Sequence, residues 1–283
     1  MTRWLAAMVL VTAMTGAAQA ADIDTLKRIK DRKTILLGYP ESSAPFAFVG
    51  ADGKPAGYSV DLCTWVASAI QKELSLPDLQ VRWSKVTTQN RFAMVVNGTI
   101  DLECGSTTNT LSRQEQVDFS NLTFIDGGGL LTKDPAINGA RDLGGKRVAV
   151  IPGTTTETAL ADAARKLSVA VQIVPVKDRP EGLAALEEGR ADAYASDRLL
   201  LIGLGRSSKD REALMVAPEY FSYEPYGLVM RRGDAPFRLS VNRALARLYR
   251  SDELGRIVQR WFGDLGRPAP LLEAMFMLGA LPE

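Results

Sequence analysis

The sequence contains no histidine among its 283 residues. That absence removes Ser-His-Asp and Cys-His catalysis, His-rich zinc sites and the commonest general acid/base. Carboxylates and lysines could still move protons, so an enzyme is disfavoured rather than excluded. Cysteine is almost as scarce: Cys63 and Cys104 are the only two. Their spacing fits no metal site, and a disulfide and two buried thiols are equally open. No GxGxxG follows the first strand and no Gly-Lys-Ser/Thr loop occurs, which argues against a nucleotide. Charge of neither sign is in excess, with 34 Lys and Arg against 33 Asp and Glu. No basic stripe calls for nucleic acid, and no cofactor or metal is called for.

Long apolar runs are also lacking, apart from the first twenty residues. MTRWLAAMVLVTAMTGAAQA has a basic start at Arg3, an apolar run from Trp4 to about Met14, and Ala18-Gln19-Ala20 at a cleavage position. This is the pattern of a secretory signal peptide, and the run is short for a bilayer span. The alternative is an uncleaved anchor. No Cys lies near Ala20 to carry a lipid. A soluble, exported mature chain is therefore expected, in a compartment that permits disulfides.

What is present is enough apolar residue, 46%, for a proper core, and enough length for two domains. Short β-branched runs alternate with amphipathic ones. Residues 35–39 read as a strand, Asp52-Gly53 as a hairpin turn, Ser59 to Glu73 as a helix, and 79–83 as a strand. A short helix from Asn90 to Val96 and a strand over 100–105 complete a βαβαβ unit. The pattern restarts with strands at 148–151, 171–176 and 191–196. Helices are expected at Thr155 to Lys166, Glu181 to Glu188 and Arg198 to Leu204. The segment from Phe237 to Phe262 is strongly helical. Two parallel-sheet units flanked by helices follow. The chain either crosses between lobes near Asp126–Gly129 and Ser222–Tyr226 or builds two consecutive domains with a helical tail.

Ligands of open α/β sheets bind outside the carboxyl ends of strands. Those ends carry hydroxyls, glycines, one Arg and one Asp: Thr88 and Arg91, Ser106 and Thr108, Thr155 and Thr156, and Asp197. Such a set can hold a zwitterion. A carboxylate wants the planar, always-charged fork of Arg91, and the hydroxyls and amides of 106–108 can fill its other lone pairs. An ammonium wants Asp197 with the oxygens of Ser106 or Thr108. The helix opening at Thr155 offers free N–H groups to an anion. Each feature also has an ordinary explanation. Thr154-x-x-Glu157 is a capping box, Asp197 could be only an N-cap, Arg91 could lie on a surface helix, and 106–110 could be a polar loop. Trp65, Trp83 and Trp261 read as core.

TTQNRF, NGTIDLECGSTTNTLSRQEQVDFS and VAVIPGTTTE together resemble the periplasmic amino-acid-binding proteins of ABC importers, nearest the glutamate/aspartate branch. PESSAPFAF, GYSVDLC, LEEGRADAY and RWFG fit the same family, and the likeness runs from about Leu26 to about Leu265. It implies a two-lobed, hinge-closing periplasmic receptor of the type II α/β fold, each lobe a mainly parallel sheet with flanking helices. Residues 21–126 and 227–283 would form one lobe and 127–226 the other. The implied partners are a free amino acid and the transmembrane subunits of a permease, with the receptor a monomer. By resemblance Arg91 takes the α-carboxylate with Thr108, Ser106 and Asp197 take the ammonium, and Thr88, Thr155 and Thr156 line the side-chain end.

Two positions depart from the acidic-ligand pattern. Pro40 stands where that branch usually has Arg before Glu-Ser-Ser43, and Arg179 stands where it usually has His. With Arg179 inward, glutamate or aspartate fits; with it outward, glutamine or asparagine does. A cyclohexadienyl-dehydratase-like enzyme on the same fold would need an acid near the ligand, for example Glu41 or Glu157.

Overall fold

The computed structural model describes residues 24–265 and 269–283. The segment expected to be a signal peptide, residues 1–20, lies outside the described residues. The described residues open with helix α1 (Thr25–Arg32) and strand β1 (Thr34–Pro40). A small antiparallel sheet follows: β2 (Ser42–Ser43), β3 (Ala47–Val49) and β4 (Pro55–Ala56). Its β3–β4 turn holds Gly53 at φ 76°, the left-handed conformation that the Asp-Gly pair signals. Then come α2 (Tyr58–Glu73), β5 (Gln80–Val86), α3 (Arg91–Val96), β6 (Leu102–Glu103), α4 (Leu111–Gln114) and β7 (Val117–Asp126).

The next segment contains β8 (Gly128–Thr132), β9 (Arg147–Val150), α5 (Thr155–Leu167), β10 (Gln172–Pro175), α6 (Arg179–Glu187), β11 (Ala193–Asp197), α7 (Arg198–Ser207) and β12 (Met215–Val216). Strand β13 (Glu224–Arg231) and helices α8 (Ala235–Tyr249), α9 (Asp252–Phe262) and α10 (Pro270–Gly279) finish the chain.

These strands form two five-stranded sheets, ordered β5-β1-β6-β13-β7 and β10-β9-β11-β8-β12. One sheet organises each lobe of a two-lobed α/β fold. The chain leaves the first sheet at Asp126, enters the second at Gly128, and is back in the first at Glu224. The parallel share is smaller than expected. In the first sheet β13 runs antiparallel to both neighbours, and in the second β8 runs antiparallel to β11 and β12. The reason is connectivity. Parallel neighbours need a helical crossover, whereas β8 and β13 arrive directly from the opposite lobe.

Helix α2 buries Leu62, Cys63, Val66, Ala67 and Ile70, positions spaced to share one face. Beneath it Cys63 is disulfide-bonded to Cys104, which settles the open question of the two thiols. The bridge closes a separation of 41 residues and so removes about 4 kcal/mol of unfolded-chain entropy on the loop-closure account. The first core is rich in aromatic residues: Phe46, Tyr58, Phe124, Tyr226 and Phe262 pack ring on ring. The second lobe has one apolar cluster on each face of its sheet, centred on Leu130 and Val148 on one side and Leu131 and Tyr194 on the other. Trp65, Trp83 and Trp261 are half-buried against the first core, as expected.

Candidate functional site

A cavity lies between the lobes, lined by Thr88, Arg91, Ser106, Thr108, Thr155, Thr156, Arg179 and Asp197, all anticipated from the sequence. Their positions follow from the fold. Thr88 and Arg91 follow β5, Ser106 and Thr108 follow β6, Thr155 and Thr156 open α5 after β9, Arg179 opens α6 after β10, and Asp197 ends β11. Each is at the carboxyl end of a parallel strand. Free space in the cavity is small, ≈ 20 Å³, about room for one water. The lobes stand closed on one another.

Ser43 is not among the lining residues. Its hydroxyl accepts from Arg179 Nη1 at 2.9 Å, which links the small hairpin of the first lobe to α6 of the second. Arg179 itself lines the cavity, so its inward arrangement holds.

Arg91 is not a surface residue. Its Nη1 donates to Thr107 Oγ1 at 2.8 Å, and Thr107 donates to Glu103 Oε2 at 2.7 Å. Burial pushes its pKa down to about 10, against the attraction of Glu103; Arg113 and Arg179 push it down further. Its Nε is buried without a protein partner. Buried donors are normally satisfied, so this guanidinium has bonding capacity left.

Asp197 does not cap its helix, although it stands at the cap position. Its carboxylate instead accepts from Thr156 Oγ1 at 3.0 Å and from the Tyr226 hydroxyl. Burial raises its pKa first and the Glu224 charge second, while Tyr226, Arg179 and Thr156 hold it down. At the start of α5 the cap and the cavity lining fall on neighbouring residues, and Glu157 reaches the Gly153 amide in place of the Thr154 amide that a capping box would use. Thr154 Oγ1 accepts the Glu157 N–H at 3.1 Å, and Glu157 Oε2 accepts from the Gly153 N–H at 2.8 Å. Thr155 and Thr156, one and two residues on, face the cavity.

Three groups escaped the sequence reading. Arg113 lines the cavity and donates from Nη1 to the Thr108 carbonyl at 2.8 Å. Burial lowers its pKa and Glu224, Asp197 and Glu103 raise it. Its signal was there: Thr110 caps α4 with its hydroxyl on the Arg113 N–H, so the loop at 106–110 and an Arg one turn later form one unit. Glu224 is the second. Its Oε2 accepts from Thr108 at 2.6 Å and from Thr155 at 2.7 Å, one hydroxyl from each lobe. Tyr226, two residues on, is the third. Both belong to the EPY stretch at the recrossing, where the sequence points to a lobe crossing and not to a ligand contact. Glu41 and Glu157, the acids an enzyme reading would use, are outside the lining. Glu41 pairs with Lys85, and Glu157 holds the Gly153 amide.

The arrangement presents three guanidiniums and the Asp197 carboxylate to one enclosed space. That charge pattern can hold a small molecule with more than one anionic group and one cationic group.

Residues 35–264 match the model of the bacterial extracellular solute-binding proteins, family 3. The chain is 42% identical to the L-glutamate/L-aspartate-binding protein of Pseudomonas aeruginosa, over 89% of this chain and 85% of that one. It is 35% identical to the glutamate/aspartate import solute-binding protein of Escherichia coli K12, over 90% and 87%. Among solved structures it resembles an ABC transporter/periplasmic binding protein from Brucella ovis with glutathione bound. The TM-score there is 0.76 at 30% identity, covering 92% of this chain and 81% of that one. An ancestral arginine-binding protein bound to glutamine gives a TM-score of 0.74 at 26% identity, covering 82% and 99%. The chain therefore belongs to family 3 of the bacterial extracellular solute-binding proteins.

Proposed function

We propose that this chain is the substrate-binding component of an amino-acid importer and captures L-glutamate or L-aspartate between its lobes. One observation carries the reading: Arg91, Arg113, Arg179 and Asp197 converge on one inter-lobe cavity. An acidic amino acid has two carboxylates and one ammonium, and this set offers opposite charge to each. The names of the relatives in Pseudomonas aeruginosa and Escherichia coli support the same ligand class.

The allocation of charges follows from the ligand's own covalent structure. The α-carboxylate and α-ammonium share one carbon, so their partners must adjoin. Arg113 lies in the field of Glu224 and Asp197, while Arg91 is held first by Glu103. Arg113 therefore takes the α-carboxylate in this reading, in place of Arg91, and Asp197 takes the ammonium with Ser106 and Thr108 nearby. Arg91 and Arg179 receive the side-chain carboxylate, with Thr88, Thr155 and Thr156 as hydroxyl donors. Ser43 acts by steadying Arg179. The inward Arg179 favours an acidic ligand over glutamine or asparagine.

The same reading makes residues 21–126 and 227–283 one lobe and 127–226 the other, with the two crossings as the hinge. It places the receptor in the periplasm as a monomer that hands its ligand to permease subunits and performs no turnover. A thermal-shift series tests it, with glutamate, aspartate, glutamine and asparagine in turn. A ligand at 100 times its Kd should add about 2.7 kcal/mol of stability. Stabilisation by glutamine and none by glutamate or aspartate would reject the acidic assignment.

A further inference from the structure

Helix α7 begins beside the cavity, and its cap is unusual. Asp197 occupies the cap position but makes no capping bond. The first amides of α7 are taken by the lobe crossing instead. Arg198 N–H donates to the Gly127 carbonyl at 2.9 Å, and Leu199 N–H donates to Asp126 Oδ2 at 3.0 Å. Asp126 is the last residue of β7 and belongs to the first sheet. Its Oδ1 accepts from the Gly127 N–H at 2.8 Å. Its Oδ2 also stands 3.3 Å from the Tyr226 hydroxyl, the same hydroxyl that donates to Asp197.

A helix start without a side-chain acceptor leaves amides unpaired, and an aspartate at the cap position is well placed to take them. Left to local chemistry, Asp197 would turn onto its own helix. We infer that Asp126 is a positioning residue: by capping α7 from across the lobe crossing and sharing the Tyr226 hydroxyl, it keeps the Asp197 carboxylate turned into the cavity. The inference rests on the proposed role of Asp197 in holding the ligand's ammonium. Tyr226 suits the shared contact because its ring is fixed between Phe46 and Phe124, at centroid distances of 5.2 and 6.2 Å. The hydroxyl therefore has little freedom to follow a carboxylate that strays. Contact with the ligand and the geometry of the crossing are thus joined through one phenol and two carboxylates.

The test is isothermal titration calorimetry with L-glutamate on full-length processed protein. The variants are Asp126→Ala and Asp126→Asn, each alone and combined with Asp197→Asn. Asp126→Ala should weaken glutamate binding about tenfold, the size of one lost cap. Asp126→Asn keeps an acceptor for the Leu199 N–H and should recover to within about threefold. In the Asp197→Asn background Asp126→Ala should cost less than about twofold, because the group it positions is gone. Tyr226→Phe keeps the buried ring and serves as a second variant should Asp126→Ala fold poorly. It should show the same dependence on Asp197. Equal losses in both backgrounds would mean general damage to the hinge and overturn the inference, as would wild-type affinity in Asp126→Ala. If Asp197→Asn leaves glutamate affinity unchanged, the ammonium assignment itself fails and the inference falls with it. If Asp197→Asn binds weakly while Asp126→Ala binds normally, only the inference fails.

Discussion

Arg179 and Ser43 meet across the inter-lobe gap, with Nη1 donating to Oγ at 2.9 Å. The guanidinium is thus both a wall of the cavity and a bond between lobes. Its Nε is buried without a partner, which leaves it donor capacity. A ligand carboxylate reaching Arg179 would meet a fork already aimed by Ser43, and a charge-assisted bond of this kind is about twice as strong as a neutral one. Arg179→Ala should therefore weaken glutamate by at least about tenfold and glutamine by less than about threefold. Calorimetric titration of both ligands reads the ratio. Equal losses would remove Arg179 from side-chain recognition.

Arg91 and Arg113 make a sharper pair, because the two charge allocations predict different patterns. Removing one partner of a buried ion pair costs about 3–5 kcal/mol, so each Arg→Ala variant should lose at least about 100-fold for glutamate. Arg113→Ala should lose as much for glutamine, since every amino acid has an α-carboxylate. Arg91→Ala should lose far less for glutamine. The reverse pattern, with Arg91→Ala failing for both ligands, would restore the α-carboxylate to Arg91.

How much of this was legible in the sequence depends on how local each signal is. Helix α2, the Asp52-Gly53 turn and the Thr154 cap each depend on residues within a turn or two, and each forms at the place read for it. Arg91, Thr155, Thr156 and Asp197 could be placed because strand ends gather ligands whatever the rest of the chain does. Glu224 and Tyr226 could not. Their role comes from a strand that returns from the other lobe and lies antiparallel to β7. Nothing near Glu224 in sequence says that hydroxyls at 108 and 155 will converge on it. Arg113 was within reach, since its cap and its loop are adjacent in sequence. The Asp197 side chain shows the limit from the other direction: a local rule gave it a cap, and a carboxylate 71 positions earlier supplies the cap instead.

The same carboxylate sets a pH dependence. Burial and the nearby Asp197 charge push the Asp126 pKa up to about 7 from an ordinary 3.8. Between these values the folded chain keeps a proton that the unfolded chain has released. Stability therefore falls as pH rises through this window. Asp126→Asn removes the titration. Its melting temperature should change less between pH 4 and pH 7 than that of the wild type, with the gap between the two proteins shifting in the variant's favour as pH rises. Parallel melting curves for both proteins over this window would expose the error.

The closed arrangement brings one glycine of the second lobe against the backbone of the first. Gly203 lies in α7 of the second lobe, and a Cβ placed on it would stand 2.4 Å from the Ala44 carbonyl oxygen and 3.5 Å from Pro45 Cδ, both in the first lobe. The nearer atom is backbone, so no side-chain rotation relieves the clash, and the lobes themselves must part. Yet alanine is the better helix former, by about 1 kcal/mol. Gly203→Ala should therefore separate two properties that usually move together. The ligand-free protein should melt no lower than wild type, because an open arrangement has room for the methyl group. Glutamate affinity should fall about tenfold, for a closed state disfavoured by a little over 1 kcal/mol. Small-angle scattering at saturating glutamate should give a larger radius of gyration than wild type. Wild-type affinity with wild-type compaction would show that the Ala44–Gly203 approach does not limit closure.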